Sequence, residues 1–357
     1  MLKEIEVLAD KIEARWRRDD YSCYSFANIA KSEMDLADIT SLFSFNQLNS
    51  LLNLYALNKI QIASEFSELH MKLFDNGKFY IELLNWWDKD TSIHDHGFSG
   101  VLLQLQGSAL NTIYSFDEET EVSHNLSMGS IKLTEAYISK TGDCRIIPFG
   151  RTEKHAVLHL EQPTVSLIVR THPITELSPQ LNYFPPFLRV NHSATDISFN
   201  KKIKYFKLLS MIDAETCRSQ FLQELKCSSA TEQFWLMIKM SEFLYHPGNI
   251  DLLQDYVDAS ETDNEKNLKL KLVSSVTQRR SSQFIIDKIK PLYTESNDRL
   301  FLSCLASSYS SEDRTVIFSK MGITDVDNKI SRFMEEIPLA VKPKMVHILK
   351  TLGLNVE

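Results

Sequence analysis

Two imidazoles stand two residues apart in Ile93-His94-Asp95-His96-Gly97, and a third follows at His155. Side chains alternate across a β-strand, so a strand here turns His94 and His96 to one face and Asp95 to the other. The two rings are then about 7 Å apart along the strand, and two nitrogen donors on one face can grip a single metal ion. His159 lies four residues beyond His155, and five further histidines, His124, His172, His192, His246 and His347, sit in turn or helical contexts without metal spacing. The five cysteines form no C-x-x-C pair, so neither a zinc ribbon nor a disulfide framework is expected. Cys144, on an expected strand, reads as a small buried hydrophobe. There is no Gly-rich phosphate loop, no G-x-S-x-G elbow and no spaced carboxylate pair. Asn191-His192-Ser193 matches a glycosylation sequon, which has no use in a cytoplasmic chain.

The elements that must carry these histidines are marked by glycine. Of ten glycines, seven fall between Gly77 and Gly150, while residues 1–76 contain neither Gly nor Pro. Glycine supplies the positive φ of tight turns, so the middle of the chain reads as a strand-rich body between two helical regions. Strands are expected at Phe79–Trp87, Gly100–Gln106, Ala109–Phe116, Lys132–Ser139, Asp143–Phe149, His155–Leu160 and Thr164–Thr171, a spacing that suggests a sandwich or small barrel. Tyr183-Phe184-Pro185-Pro186-Phe187 reads as the linker into the C-terminal helices. Before the strands, residues 2–9 and 45–57 place apolar side chains three and four apart, and from about Asn200 the same spacing returns without a fixed repeat. The expected division is 1–75 as N-terminal helices, 76–190 as a metal-binding barrel and 195–357 as a helical domain. With 43% hydrophobic and 24% charged residues, the 357-residue chain can bury a sizeable core. Its formal charge of −8 argues against a nucleic-acid partner bound to a broad basic face. No apolar run suits a membrane span or a signal peptide, so a cytoplasmic protein is expected.

An H-x-H pair, Leu105-Gln106-Gly107 some ten residues on, and then Gly142 to Gly150 as G-x5-P-x-G leading to His155 together resemble the paired motifs of the cupin superfamily. The resemblance implies an α+β fold, a cupin-type β-barrel or jelly roll flanked by helices, with both motifs converging on one metal. The common motif carries a Glu after H-x-H, and here that place falls on Gly100. Within the superfamily, Asp75-Asn76-Gly77-Lys78-Phe79, Trp86, Ser92-Ile93-His94-Asp95-His96, Leu105-Gln106-Gly107, His155 and Pro163-Thr164-Val165-Ser166-Leu167 resemble the cysteine dioxygenase, or thiol dioxygenase, family over about residues 70–175. That likeness implies one Fe(II) per chain on His94, His96 and His155, with an open face for a small substrate and O2 as co-substrate. Three departures are plain. The carboxylate-binding Arg of mammalian-type members falls near Met71, with His70 beside it. Ser166-Leu167-Ile168-Val169-Arg170 keeps the family's Ser but not its His and Tyr. The crosslinking Cys falls at Gly100 or Val101. Free cysteine is therefore expected to be a poor substrate. In many cupins the place of His159 holds an Asn that orients a ligand, so His159 either does this or fills the barrel.

If Ser166 faces the cavity as in the family, alternation turns Ile168 and Arg170 the same way. The match likewise aligns Leu84 and Trp86 with pocket-lining positions, which puts Tyr80 and Glu82 on that face. Arg170 and Ser166 are then the candidates for catalysis, and Tyr80, Glu82, Trp86 and Arg170 for binding substrate. Glu82 and Arg170 either hold the amine and carboxylate of an amino acid, or pair with each other, or emerge in water at the barrel mouth. Three readings follow: an iron oxygenase acting on a small thiol or amino-acid derivative, a non-oxidative zinc or nickel enzyme, and a small-molecule sensor. The helical C-terminal domain is a place for a protein partner or a second copy.

Overall fold

The computed structural model describes residues 1–64, 66–123, 125–177, 179–191, 196–249 and 251–354. His124, and His192 and Ser193 of the sequon, lie outside the described residues.

Eleven strands form among the described residues: β1 (Leu69–Asp75), β2 (Phe79–Trp86), β3 (His94–His96), β4 (Gly100–Gln106), β5 (Ala109–Ser123), β6 (Leu126–Ser139), β7 (Cys144–Ile147), β8 (Gly150–His159), β9 (Thr164–Thr171), β10 (Leu181–Phe184) and β11 (Leu188–Asn191). They make an antiparallel five-stranded sheet in the order β1-β2-β9-β4-β7 and a closed ring in the order β10-β11-β6-β5-β8-β3. Helices flank both, so the fold is the expected α+β arrangement of a β-barrel between two helical regions.

Two boundaries differ from the sequence reading. The barrel begins at Leu69, inside the segment expected to be helical, because β1 pairs with β2 along its whole length. Tyr183 to Phe187 is not a linker. Leu181–Phe184 and Leu188–Asn191 form a hairpin around Pro185-Pro186, and the hairpin closes the ring between β3 and β6.

The central strands β2 and β9 are buried on both faces, in keeping with the largely apolar run Val165-Ser166-Leu167-Ile168-Val169. Val165, Leu167 and Val169 pack outward with Ile81, Leu83, Val101 and Leu103 against the helices Leu2–Arg18 and Cys23–Ala37. The first helix offers Ile5, Leu8, Ala9, Ile12 and Trp16, the i, i+3, i+4, i+7 stripe of a helix that covers a sheet. The outer face of the ring, including Leu110, Leu133, Ala156 and Leu158, packs in one core with Phe301, Leu302, Leu305, Ile348 and Leu349 of the C-terminal helices. A smaller cluster of Leu84, Trp86, Phe98, Ile147 and Ile168 lies inside the barrel. No helix among the described residues is long and apolar enough to cross a membrane.

Candidate metal centre

β3 is three residues long, wholly buried, and paired with β8 on one side and β10 on the other. His94 stands directly opposite His155 in the β3–β8 register, and a bulge then brings His96 opposite Gly150. Facing residues of an antiparallel pair have their Cβ atoms about 5 Å apart, so this register alone joins the second motif to the first. Asp95 points away, as alternation requires. Its carboxylate accepts the Leu181 N–H at 2.8 Å and the Tyr183 hydroxyl at 2.9 Å, which fixes the short strand to β10.

The candidate ligand atoms of His94, His96 and His155 lie within 4.8 Å of one another. Nε2 of His96 and Nε2 of His155 are 3.2 Å apart. Two nitrogens bound about 2.1 Å from one ion, at tetrahedral to octahedral angles, are separated by about 3.0–3.4 Å. Nδ1 of His94 donates to the Ser92 carbonyl at 2.7 Å, which leaves the lone pair on Nε2 free to ligate. Burial pushes the basicity of all three rings down, well down for His96 and His155. Each is therefore a neutral imidazole, the form that binds metal. Three neutral nitrogens with no carboxylate fit a divalent ion of the iron, nickel, copper or zinc type.

The histidines form one wall of a cavity of about 260 Å³ between the two sheets. The other wall is Glu82, Leu84 and Trp86 of β2, Leu102 and Gln104 of β4, and Ser166, Ile168 and Arg170 of β9. Alternation thus brings together the residues expected on the inner face, with one exception. Tyr80 does not line the cavity. Its ring packs behind Arg170, 4.8 Å from the guanidinium, with Lys72 over it at 4.3 Å, and burial pushes its hydroxyl up to about 12. Tyr80 supports Arg170, where a direct contact with substrate was expected.

Arg170 is sandwiched between Tyr80 and Phe98, whose ring is 4.5 Å from the guanidinium. Of the alternatives left open for Glu82 and Arg170, pairing is what forms, and it forms inside the cavity: Arg170 Nη2 lies 3.2 Å from Glu82 Oε2. His70 Nε2 sits 2.8 Å from the other oxygen, Oε1. Glu82, 1% exposed, is held from both sides, whereas the Arg170 side chain is 26% exposed and its buried Nε has no hydrogen-bond partner. Ser166 Oγ donates at 3.4 Å to Gln104 Oε1, and the Gln104 amide donates to the carbonyls of Gln106 and Val165. Gly100 faces Arg170 in the β4–β9 register. A Cβ on Gly100 would come within 2.9 Å of both Arg170 Cβ and the Val169 carbonyl oxygen. Of the two positions, Gly100 and Val101, where the resemblance places a crosslinking Cys, Gly100 has no room for a side chain while Arg170 is present.

His159 also lines the cavity, stacked on Trp86 at 4.5 Å between ring centroids. Burial, with Lys290 and Arg299 nearby, keeps it neutral, and neither ring nitrogen has a hydrogen-bond partner. His70, Phe98, Gln104 and Asn111 were missed as cavity or site residues. The alternation of β4 was enough to find Gln104, two residues from Leu102, but His70 depends on the unexpected β1.

No model of a known protein family matches the chain, and no curated protein matches it. Among solved structures it is similar to a cupin superfamily protein from Desulfitobacterium hafniense, with 19% identity, 32% of this chain and 86% of that chain covered, and a TM-score of 0.22. It is also similar to hydroquinone 1,2-dioxygenase from Sphingomonas sp. TTNP3, with 12% identity, 31% and 69% covered and a TM-score of 0.24. A third is a DMSP lyase from Ruegeria pomeroyi, with 12% identity, 35% and 60% covered and a TM-score of 0.24.

Proposed function

We propose that this chain is a mononuclear iron oxygenase acting on a small chelating molecule, a thiol or an amino-acid derivative, as its sequence resemblance to thiol dioxygenases implies. The observation that carries the reading is the set of three buried, neutral histidines facing an arginine across one small cavity. Bound by three neutral imidazoles, Fe(II) would keep its full charge and supply open positions for a chelating substrate and O2.

The chain's own residues do the rest. Arg170 receives the anionic part of the substrate through its exposed edge, while Glu82, Tyr80 and Phe98 hold its plane. Leu84, Leu102, Ile147 and Ile168 keep water from the reacting atoms. His159, held neutral and without a partner on either nitrogen, offers the substrate one hydrogen-bond donor and one acceptor. Ser166 and Gln104 present polar edges that orient the remaining substrate atoms.

The test is metal analysis of the purified chain combined with O2 uptake on a panel of small thiols and amino acids. One divalent ion per chain is expected, lost in each of His94→Ala, His96→Ala and His155→Ala, with O2 consumed on a thiol other than cysteine. Full metal occupancy in the His94/His96 double variant would sink the ligand assignment. Metal binding with no O2 uptake on any compound would replace the oxygenase with a non-oxidative metal enzyme. Efficient conversion of free cysteine to its sulfinate would refute the substrate assignment.

A further inference from the structure

A second cleft, about 640 Å³, opens in the helical half among the helices Ile197–Ile212, Ala230–Lys239, Asp263–Phe284 and Lys342–Thr351. Six cations converge on it, Lys207, Lys239, Arg279, Arg280, Lys288 and Lys344, against two carboxylates, Glu242 and Asp287. In a chain of net charge −8 such a local excess is out of keeping with the rest of the surface. Some cations elsewhere in this half find acids: Arg218 pairs with Asp251 and Asp255, and Arg332 with Asp298 and Glu336. Among the described residues none of the six makes an ion pair.

Four of them lie over aromatic rings instead. Arg280 is 4.1 Å from the Tyr245 ring, Lys344 4.1 Å from Phe284, Arg279 5.0 Å from Phe184 and Lys239 5.8 Å from Trp235. A ring face supports the stem and the charge but accepts few of the N–H groups, which leaves donors available to a ligand; Arg279, over Phe184, also borders a neighbouring cleft. Arg279, Arg280 and Lys344 are half-buried. Burial, with Arg280 and Lys288 close by, pushes the Lys344 amine down to about 8. Like charges crowded in a partly dry cleft repel one another, and an anion placed between them removes that cost.

We propose that this cleft binds a small organic phosphate, with the cations on its phosphate oxygens and Ile238, Phe243 and Phe284 against its apolar part. A phosphate carries two charges on tetrahedrally spread oxygens, which suits arginine forks and ammonium groups arriving from several helices. A single carboxylate would leave most of the six unpaired. The volume lies in the range of small-molecule sites, and the cleft is concave, which an extended nucleic acid does not require. None of the six cations lines the barrel cavity, so the inference stands apart from the iron reading.

Isothermal titration of the full chain with orthophosphate, inorganic pyrophosphate, AMP and adenosine tests it. One AMP per chain should bind, at least tenfold tighter than adenosine or orthophosphate. Arg280→Gln and Lys344→Gln should each weaken AMP at least tenfold without changing metal content. Because Arg280 packs on Tyr245, a second variant guards against misfolding: Lys207→Gln with Lys288→Gln, both exposed, should weaken AMP severalfold with the melting temperature unchanged. No saturable binding of AMP, or affinity unchanged in both sets of variants, would overturn the proposal. So would an equal loss in a control, Lys201→Gln with Lys204→Gln, since that pair lies outside the cleft. Pyrophosphate bound as tightly as AMP would remove the organic part of the ligand and overturn the assignment of an ester.

Discussion

An arginine facing a metal cavity has to be kept from collapsing onto the ligands, and Arg170 is kept back by a carboxylate and two rings. Glu82 takes one edge of the guanidinium, Tyr80 and Phe98 its faces, and Nε is left over. Replacing Arg170 by Met removes the proposed anion-binding group and leaves Glu82 beside the His70 ring. Losing a charge-assisted hydrogen bond at the reacting end costs about 2–4 kcal/mol, so kcat/KM measured per folded, metal-loaded molecule should fall roughly 30- to 1000-fold. A rise in KM alone would assign Arg170 to binding, and a fall in kcat would assign it to the transition state as well. Unchanged turnover with lowered stability would make the Glu82 pair purely structural. The shared face of His94 and His96 was legible because a period of two needs only local sequence: the two declare their face as soon as a strand is assumed. His70 was not legible. It meets Glu82 only through the β1–β2 register, where it stands opposite Leu84 and diagonal to Glu82, and nothing local announces that pairing.

Strand pairing also links two departures that look independent in the sequence. Gly100 on β4 and Arg170 on β9 are partners in register, and the bare Cα of one leaves space for the side chain of the other. Gly100→Ala therefore forces two buried strands apart by several tenths of an ångström. Overpacking of this kind costs about 1–3 kcal/mol, and denaturant unfolding should show it. The substitution should also shift Arg170 and weaken any anionic substrate, while metal content stays at one per chain. A Gly100→Ala protein of undiminished stability and activity would show that β4 and β9 have slack at this point. β2 and β4, bounded by glycine, and β9, between Pro163 and Pro173, were read close to where they lie. β1 was missed because no Gly or Pro precedes it to mark a break from the helices. The hairpin of β10 and β11 was missed because Pro185-Pro186, between two four-residue strands, gives the same local pattern as a linker.

At the scale of the whole molecule, the helical half reaches into the barrel's polar interior. Lys290, 1% exposed, pairs with Asp90, whose other carboxylate oxygen accepts the His159 N–H at 2.7 Å. Arg299 donates to the carbonyl of the same His159. Burial pushes the Asp90 carboxyl up and the Lys290 amine down, so each charge persists through its partner. Lys290→Met strands a buried carboxylate and should cost about 3–5 kcal/mol in urea unfolding, whereas Lys290→Met with Asp90→Asn should recover most of that loss. Additive losses would mean that the two side chains do not act as a pair. The helical domain was legible as helices, but not as a wall of the barrel, because its contacts span well over a hundred residues of chain. That separation has a consequence for synthesis. A ribosome delivers the barrel's outer face, with Leu110, Leu133, Ala156 and Leu158, long before Phe301, Ile348 and Leu349, which cover it. At about 5–20 residues per second, the wait from His159 to Leu352 is on the order of 10–40 s. Throughout it the nascent barrel carries an uncovered apolar face and an Asp90 carboxylate without its cation, which makes this interval the time at which the newborn chain is most open to aggregation and to capture by chaperones.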